Sequence, residues 1–110
     1  MQSVTSNAVA VSKSYSTTEQ KTGGMWIDGK PIYRKAFSGT GKNIIGNITG
    51  YDSIVNIDGV VKDDTNWLCI SYSGTYNVNV RIESDGAVFL NYNGNITQHR
   101  IWVEYTKTID

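Results

Sequence analysis

The chain has one cysteine, one histidine, one proline and few charges across its 110 residues. A single cysteine, Cys69, forbids an intrachain disulfide. Its place in the apolar run Trp67-Leu68-Cys69-Ile70 predicts a buried, inert thiol. His99 is the only imidazole, so any Ser-His-Asp or Cys-His arrangement would have to be built around it. Beside Arg100 at the start of a strand, it is expected at the surface. Charged residues make up 18% of the chain and balance to a net charge of zero. A nucleic-acid binder would show a basic stripe, and its absence argues against DNA, RNA and anionic membrane surfaces as partners. No run approaches the ~20 apolar residues of a membrane span. The N-terminus has neither a basic start nor an apolar stretch of the secretory kind. The expectation is a protein without membrane insertion, not exported by the secretory route.

What fills the chain instead is β-forming. Short runs rich in Val, Ile and aromatics are punctuated by Gly and Asn. Met25-Trp26-Ile27 and Pro31-Ile32-Tyr33-Arg34 flank Asp28-Gly29, a pair suited to a type I′ turn with both residues at positive φ. Pro31 lacks an N–H, so its strand should begin there or lie on an edge. Tyr33, Lys35 and Phe37 alternate with Arg34 and Ala36. Further strands are expected from Asn43 to Thr49 and from Tyr51 to Lys62, the latter setting Val55 and Ile57 against Ile54 and Asn56. Trp67–Ser71 carries apolar residues on both faces, which predicts burial on both sides or cover from another subunit. Val78, Val80 and Ile82 alternate with Asn77, Asn79 and Arg81 in the half-buried antiparallel pattern. Asp85-Gly86 turns the chain into Ala87–Leu90. The last strand, about Arg100 to Lys107, sets Ile101, Val103 and Tyr105 against Trp102, Glu104 and Thr106. Seven or eight strands at ~8–12-residue spacing predict an all-β fold, an antiparallel β-sandwich of jelly-roll or Greek-key type, over residues 16–110. Ahead of it, Val4, Ala8, Val11 and Tyr15 have coiled-coil spacing. Residues 1–15 therefore read either as the end of a helical neck or as a disordered lead-in.

Candidate chemistry is sparse. Asp63-Asp64-Thr65-Asn66 sets four oxygen-bearing side chains in a row without the alternating ligand spacing of a calcium loop, so a solvated turn is expected and no metal. Gly39-Thr40-Gly41-Lys42 lacks the spacing and following helix of a phosphate loop. Glycoside hydrolysis would need two carboxylates at a set separation. Asp52, Asp58, Asp63, Asp64, Glu83 and Asp85 are available, mostly at turn positions where Asp serves the backbone. The reading is of a non-enzymatic protein with no cofactor. Aromatics are plentiful: Trp26, Trp67, Trp102 and seven tyrosines. Trp26 and Trp102 are expected in core or intersubunit packing. Asp63, Asp64, Asn66 and Trp67, with Tyr72 and Tyr76 one loop further, form the candidate ligand site, where rings stack on sugar C–H faces and polar groups meet hydroxyls.

Three stretches resemble the C-terminal domain of phage and prophage tail-fibre proteins of gut bacteria. Ser3–Val9 is similar to the VTSNAV linker of such fibres. Tyr15–Gln20 followed by Trp26–Lys35, reading WIDGKPIYRK, resembles the family's most recognisable motif. Val103–Asp110 is similar to an EYTKT-D ending. The stretches cover about a third of the chain and bracket nearly all of it, while Phe37–Gln98 shares only strand rhythm. The resemblance implies a homotrimeric virion protein, assembled in the bacterial cytoplasm, at the distal end of a longer fibre polypeptide. Met1, just before the linker, fits a cut fragment. The expected role is host attachment through cell-surface glycan, with a purely structural trimerisation or capping domain as the alternative and a polysaccharide depolymerase as a lesser one.

Overall fold

The computed structural model describes residues 15–70 and 77–109. All but Tyr15 of the expected neck lies outside them, as do Tyr72 and Tyr76. Strands β1 (Gln20–Met25), β2 (Pro31–Gly39), β3 (Asn43–Asn47), β4 (Tyr51–Lys62), β5 (Trp67–Cys69), β6 (Asn79–Ile82), β7 (Ala87–Asn91) and β8 (Gln98–Lys107) build two antiparallel sheets. One runs β1-β2-β8-β4-β5 and the other β3-β7-β6. The fold is all-β and sandwich-like, as the strand rhythm predicts.

The C-terminal strand β8 holds the centre of the larger sheet. It pairs with β2 through Tyr33↔Tyr105, Lys35↔Val103 and Phe37↔Ile101, and with β4 through Ile57↔Val103 and Gly59↔Ile101. Its period-two pattern turns Ile101, Val103 and Tyr105 inward, and all three are removed from water. Against them pack Tyr33 and Phe37 from β2, Val61 from β4, and Val88 and Leu90 from β7. Each such side chain contributes roughly 1.5–3 kcal/mol by leaving water.

Strand β4 departs from simple alternation. Register shifts between Tyr51 and Ile54 and between Ile54 and Asn56 mark two β-bulges. Each extra residue resets the face, so Tyr51, Ile54 and Ile57 all pack on the core. The expected opposition of Ile54 to Ile57 is thereby corrected. β1 is likewise not the expected Met25–Ile27 arm. Trp26 and Ile27 belong to the turn, and the strand lies upstream in a segment with almost no apolar pattern. Pro31 begins β2, where its missing N–H is tolerated.

The Asp28-Gly29 turn is not type I′. Only Gly29 takes positive φ, at 86°. Gly29 N–H donates to Trp26 O, Trp26 N–H donates to Lys30 O, and Asp28 Oδ1 accepts Lys30 N–H. This is a three-residue hairpin loop, a type I turn closed by a left-handed glycine. Glu83–Ala87 repeats it bond for bond, with Gly86 at φ 95° and Asp85 Oδ1 accepting Ala87 N–H.

Two expectations about single residues are overturned. His99 is buried, only 5% exposed. It stands inside β8 opposite Gly39, whose missing side chain leaves room for the imidazole, and its Nδ1 lies 2.9 Å from Gly41 O. Cys69 is exposed. β5 is a three-residue edge strand, and its alternation sends Leu68 inward and Trp67 and Cys69 to the outer face.

A polar network ties the segment before β1 to β8. The Tyr105 hydroxyl donates to Glu19 Oε1 at 2.5 Å, and Lys107 Nζ donates to Glu19 Oε2 at 2.9 Å. On the outer face Arg34 donates from Nε and Nη2 to Glu104 Oε2, at 2.9 and 2.8 Å, beneath the Tyr15 ring. Lys30 bridges Asp52 Oδ2 and the Lys107 carbonyl. Burial alone would push the Glu19 carboxyl up. The hydrogen bonds from Tyr105 and Lys107 and the charges of Lys107 and Lys35 outweigh it and hold Glu19 below the ordinary glutamate range. Tyr105 is pushed up, first by burial, then by its bond to Glu19, the Glu19 charge and Tyr33.

These shifts set the pH dependence of stability. An acid held low stabilises the fold only while ionised, so the Glu19 contribution is lost as pH falls below the ordinary glutamate value. A phenol held high stabilises only while protonated, so the Tyr105 contribution is lost as pH rises beyond 10.0, the ordinary tyrosine value. Thermal midpoints across pH check this, with Glu19→Gln flattening the acid limb and Tyr105→Phe the alkaline limb. The two matching turns give a second test. A Cβ at Gly29 meets open space, whereas at Gly86 it lies 2.9 Å from the backbone of Ile48 and Thr49. Chemical denaturation of Gly29→Ala is expected to show a loss of ~1–2 kcal/mol from backbone strain alone. Gly86→Ala adds a clash of ~1–3 kcal/mol.

Candidate functional site

The Asp63–Asn66 segment is the loop of the β4–β5 hairpin, closed by Lys62↔Trp67. Asp63 organises it. Its Oδ1 accepts the N–H groups of Thr65 and Asn66 at 2.8 and 2.7 Å, and its own N–H donates to Asn66 O. The Tyr92 hydroxyl reaches Oδ2 at 3.4 Å. The Asn66 and Thr65 backbone bonds, more than the opposing desolvation, hold the Asp63 carboxyl below its ordinary value, with Tyr92 and the Thr65 hydroxyl adding to them. Thr97 then fastens the loop to β8: its N–H and hydroxyl both donate to Lys62 O, and the hydroxyl also to Asp63 O. Asp64, Thr65 and Asn66 are exposed on this turn, and its lead carboxylate, Asp63, is committed to shaping it.

Around this turn lies an open concavity of about 420 Å³ lined by Asp63, Asp64, Thr65, Tyr92, Gly94 and Asn95. Lys42 braces its far wall, donating to Tyr92 O and Gly94 O at 2.9 and 2.7 Å. The sequence-derived set divides here. Asp63 and Asp64 line the concavity. Asn66 is exposed on the loop. Trp67 turns to the outer face of the larger sheet, 52% exposed, with Lys62 Nζ 5.8 Å from its ring centre. Tyr72 and Tyr76 fall outside the described residues.

The outer face carries a second cluster that the sequence reading did not single out. Trp102 is half-buried there and meets the Tyr15 ring at 4.7 Å between centroids, so it belongs neither to the core nor to an unpartnered surface. Trp26 is half-buried in the β1–β2 turn. Tyr15, Thr17, Ala36, Ser38, Arg100 and Trp102 border a cavity of about 280 Å³. The signal for it was available: the alternation that turns Ile101 and Val103 inward must turn Arg100 and Trp102 outward. Tyr92 and Asn95 had no comparable signal, because they reach the Asp63 turn only through the approach of the β7–β8 connection.

Comparison with models of known families, with curated proteins and with solved structures finds no match to this chain.

The turn geometry predicts a selective response to substitution at residue 63. Asp63→Asn keeps the Oδ1 acceptor and is expected to hold the thermal midpoint near that of the parent. Asp63→Ala removes it and lowers the midpoint. Differential scanning fluorimetry of the two variants separates these outcomes.

Proposed function

We propose that this chain is the tip domain of a bacteriophage tail fibre or a related baseplate protein, and that it attaches the virion to its host by binding cell-surface carbohydrate. The observation that carries the reading is Trp67. A tryptophan half open to solvent on a sheet edge, beside a tightly bonded polar turn, combines an apolar ring with fixed hydrogen-bonding groups. That is the combination by which a polar, uncharged ligand is held on a rigid scaffold. The low charge of the chain suits neutral sugar surfaces. The architecture that goes with this reading is a jelly-roll or Greek-key-like sandwich following a helical neck, assembled as a homotrimer, so that several weak sites act together.

The resemblance to tail-fibre C-terminal domains supports the proposal through where its residues lie. Tyr15, Glu19 and Gln20, the strand Pro31–Lys35 and the ending Val103–Lys107 form one structural unit: Gln20↔Arg34, Arg34↔Glu104, Tyr33↔Tyr105 and the Glu19–Tyr105–Lys107 contacts. The shared stretches are thus a scaffold, and the unshared middle supplies Asp63–Trp67. The same observation favours the second reading, a structural trimerisation or capping domain, because the motif residues spend their side chains on one another.

Adsorption to isolated host cell-wall polysaccharide tests the two. Under the attachment reading the domain binds, and Trp67→Ala, at an exposed position, lowers binding about tenfold or more while the thermal midpoint stays near that of the parent. Under the structural reading Trp67→Ala changes nothing, and deleting the domain stops fibre assembly. Undiminished adsorption by Trp67→Ala would overturn the site.

A further inference from the structure

The cavity on the outer face of the larger sheet has a charge character distinct from that of the Asp63–Trp67 region. Arg100 and Trp102 project from the same side of β8, two residues apart. Ala36 and Ser38 stand beside them on β2, through the pairs Ala36↔Trp102 and Ser38↔Arg100. Tyr15 and Thr17, from the segment ahead of β1, complete the wall. Ser16 O accepts the Ala36 N–H at 2.9 Å, which fixes this segment along β2. The volume, about 280 Å³, lies at the lower end of ligand cavities, at roughly 300 Å³, and suits a single ring.

Among the described residues, Arg100 is the only charged one on this wall. Its Nη1 donates to His99 O at 2.9 Å and its Nη2 to Gln98 Oε1 at 3.1 Å. These bonds orient the guanidinium and leave further N–H donors free. Among the described residues it has no carboxylate partner. Glu104, on the same face, is held by Arg34. Asp58 lies across Trp102 on the β4 side, away from the cavity, with its Oδ1 accepting Gly59 N–H. The remaining wall presents the Trp102 and Tyr15 rings. The Arg100 guanidinium and the Trp102 and Tyr15 rings border one cavity, which calls for a ligand that is anionic at one edge and apolar on one face.

We propose that this cavity binds the carboxylate-bearing sugar unit of an acidic polysaccharide, with Arg100 meeting the carboxylate and Trp102 and Tyr15 covering the C–H face of the ring. The inference rests on the carbohydrate reading above and adds a charged sugar at a site separate from Trp67.

The test is a titration of ¹⁵N-labelled protein with sodium glucuronate, with glucose and sodium acetate as controls. Glucuronate at millimolar concentration is expected to shift the Trp102 indole N–H and the Arg100 Nε–H, while glucose and acetate leave both in place. Arg100→Gln is exposed and keeps the rest of the spectrum. It is expected to raise the dissociation constant about tenfold or more, the scale of a lost charge-assisted hydrogen bond. Arg100→Lys, which keeps the charge without the fork, recovers part of the affinity. Absence of a glucuronate shift, an equal shift with glucose or acetate, or unchanged binding by Arg100→Gln would overturn the proposal. Polysaccharide adsorption by Trp67→Ala separates this from the broader reading. Adsorption that depends on Trp67 without a glucuronate response removes the acidic-sugar site alone. A glucuronate response with adsorption indifferent to Trp67 removes the Trp67 site alone.

Discussion

Gln98–Lys107 pairs along both of its edges while burying every second side chain from His99 to Tyr105. The larger sheet cannot close without it: β2 and β4 each pair with β8 and not with each other. Breaking the two ladders would unsatisfy backbone groups on three strands and reopen the slab that contains Tyr33, Phe37, Val88 and Val103. The polar contacts follow the same line. Glu19 reaches β8 through Tyr105 and Lys107, Arg34 through Glu104, and Lys30 through the Lys107 carbonyl. The Arg34–Glu104 pair is largely screened from solvent, with side-chain exposures of 9% and 19%.

The candidate binding features depend on this closure. Trp67 is held on β5 by three pairs to β4, and β4 is held by β8. The Asp63 turn is tied to the start of β8 through Thr97. Arg100 and Trp102 project from β8 itself. A platform built this way has little conformational freedom left to lose, so the ordering cost of any contact made on it is small.

Much of the fold was legible because period-two burial leaves a direct trace. The inward set Ile101, Val103 and Tyr105 and the inward set Val78, Val80 and Ile82 follow from alternation. What was illegible has specific causes. The bulges in β4 shift the phase of alternation without any residue type that announces them. β1 has no apolar rhythm and forms because β2 offers it a ladder. His99 is buried because Gly39 stands opposite on a distant stretch of chain, and Cys69 is exposed because β5 is an edge of only three residues. At the candidate site, the Asp63 turn could be read from its Asp and Asn content. Its neighbours Tyr92 and Asn95 could not, since a tertiary approach brings them there. Arg100 and Trp102 were half legible: alternation placed them outward, but only the fold brings Tyr15 and Ser38 beside them.

The central claim is that β8 is the last element of this sheet to give way. Native-state hydrogen exchange measures it directly. The account predicts that the slowest amide protons lie in Ile101–Tyr105 and in their partners on β2 and β4, exchanging together at the free energy of global unfolding. Exchange of the β8 amides as fast as those of the edge strands β1 and β5, well below that limit, would contradict it.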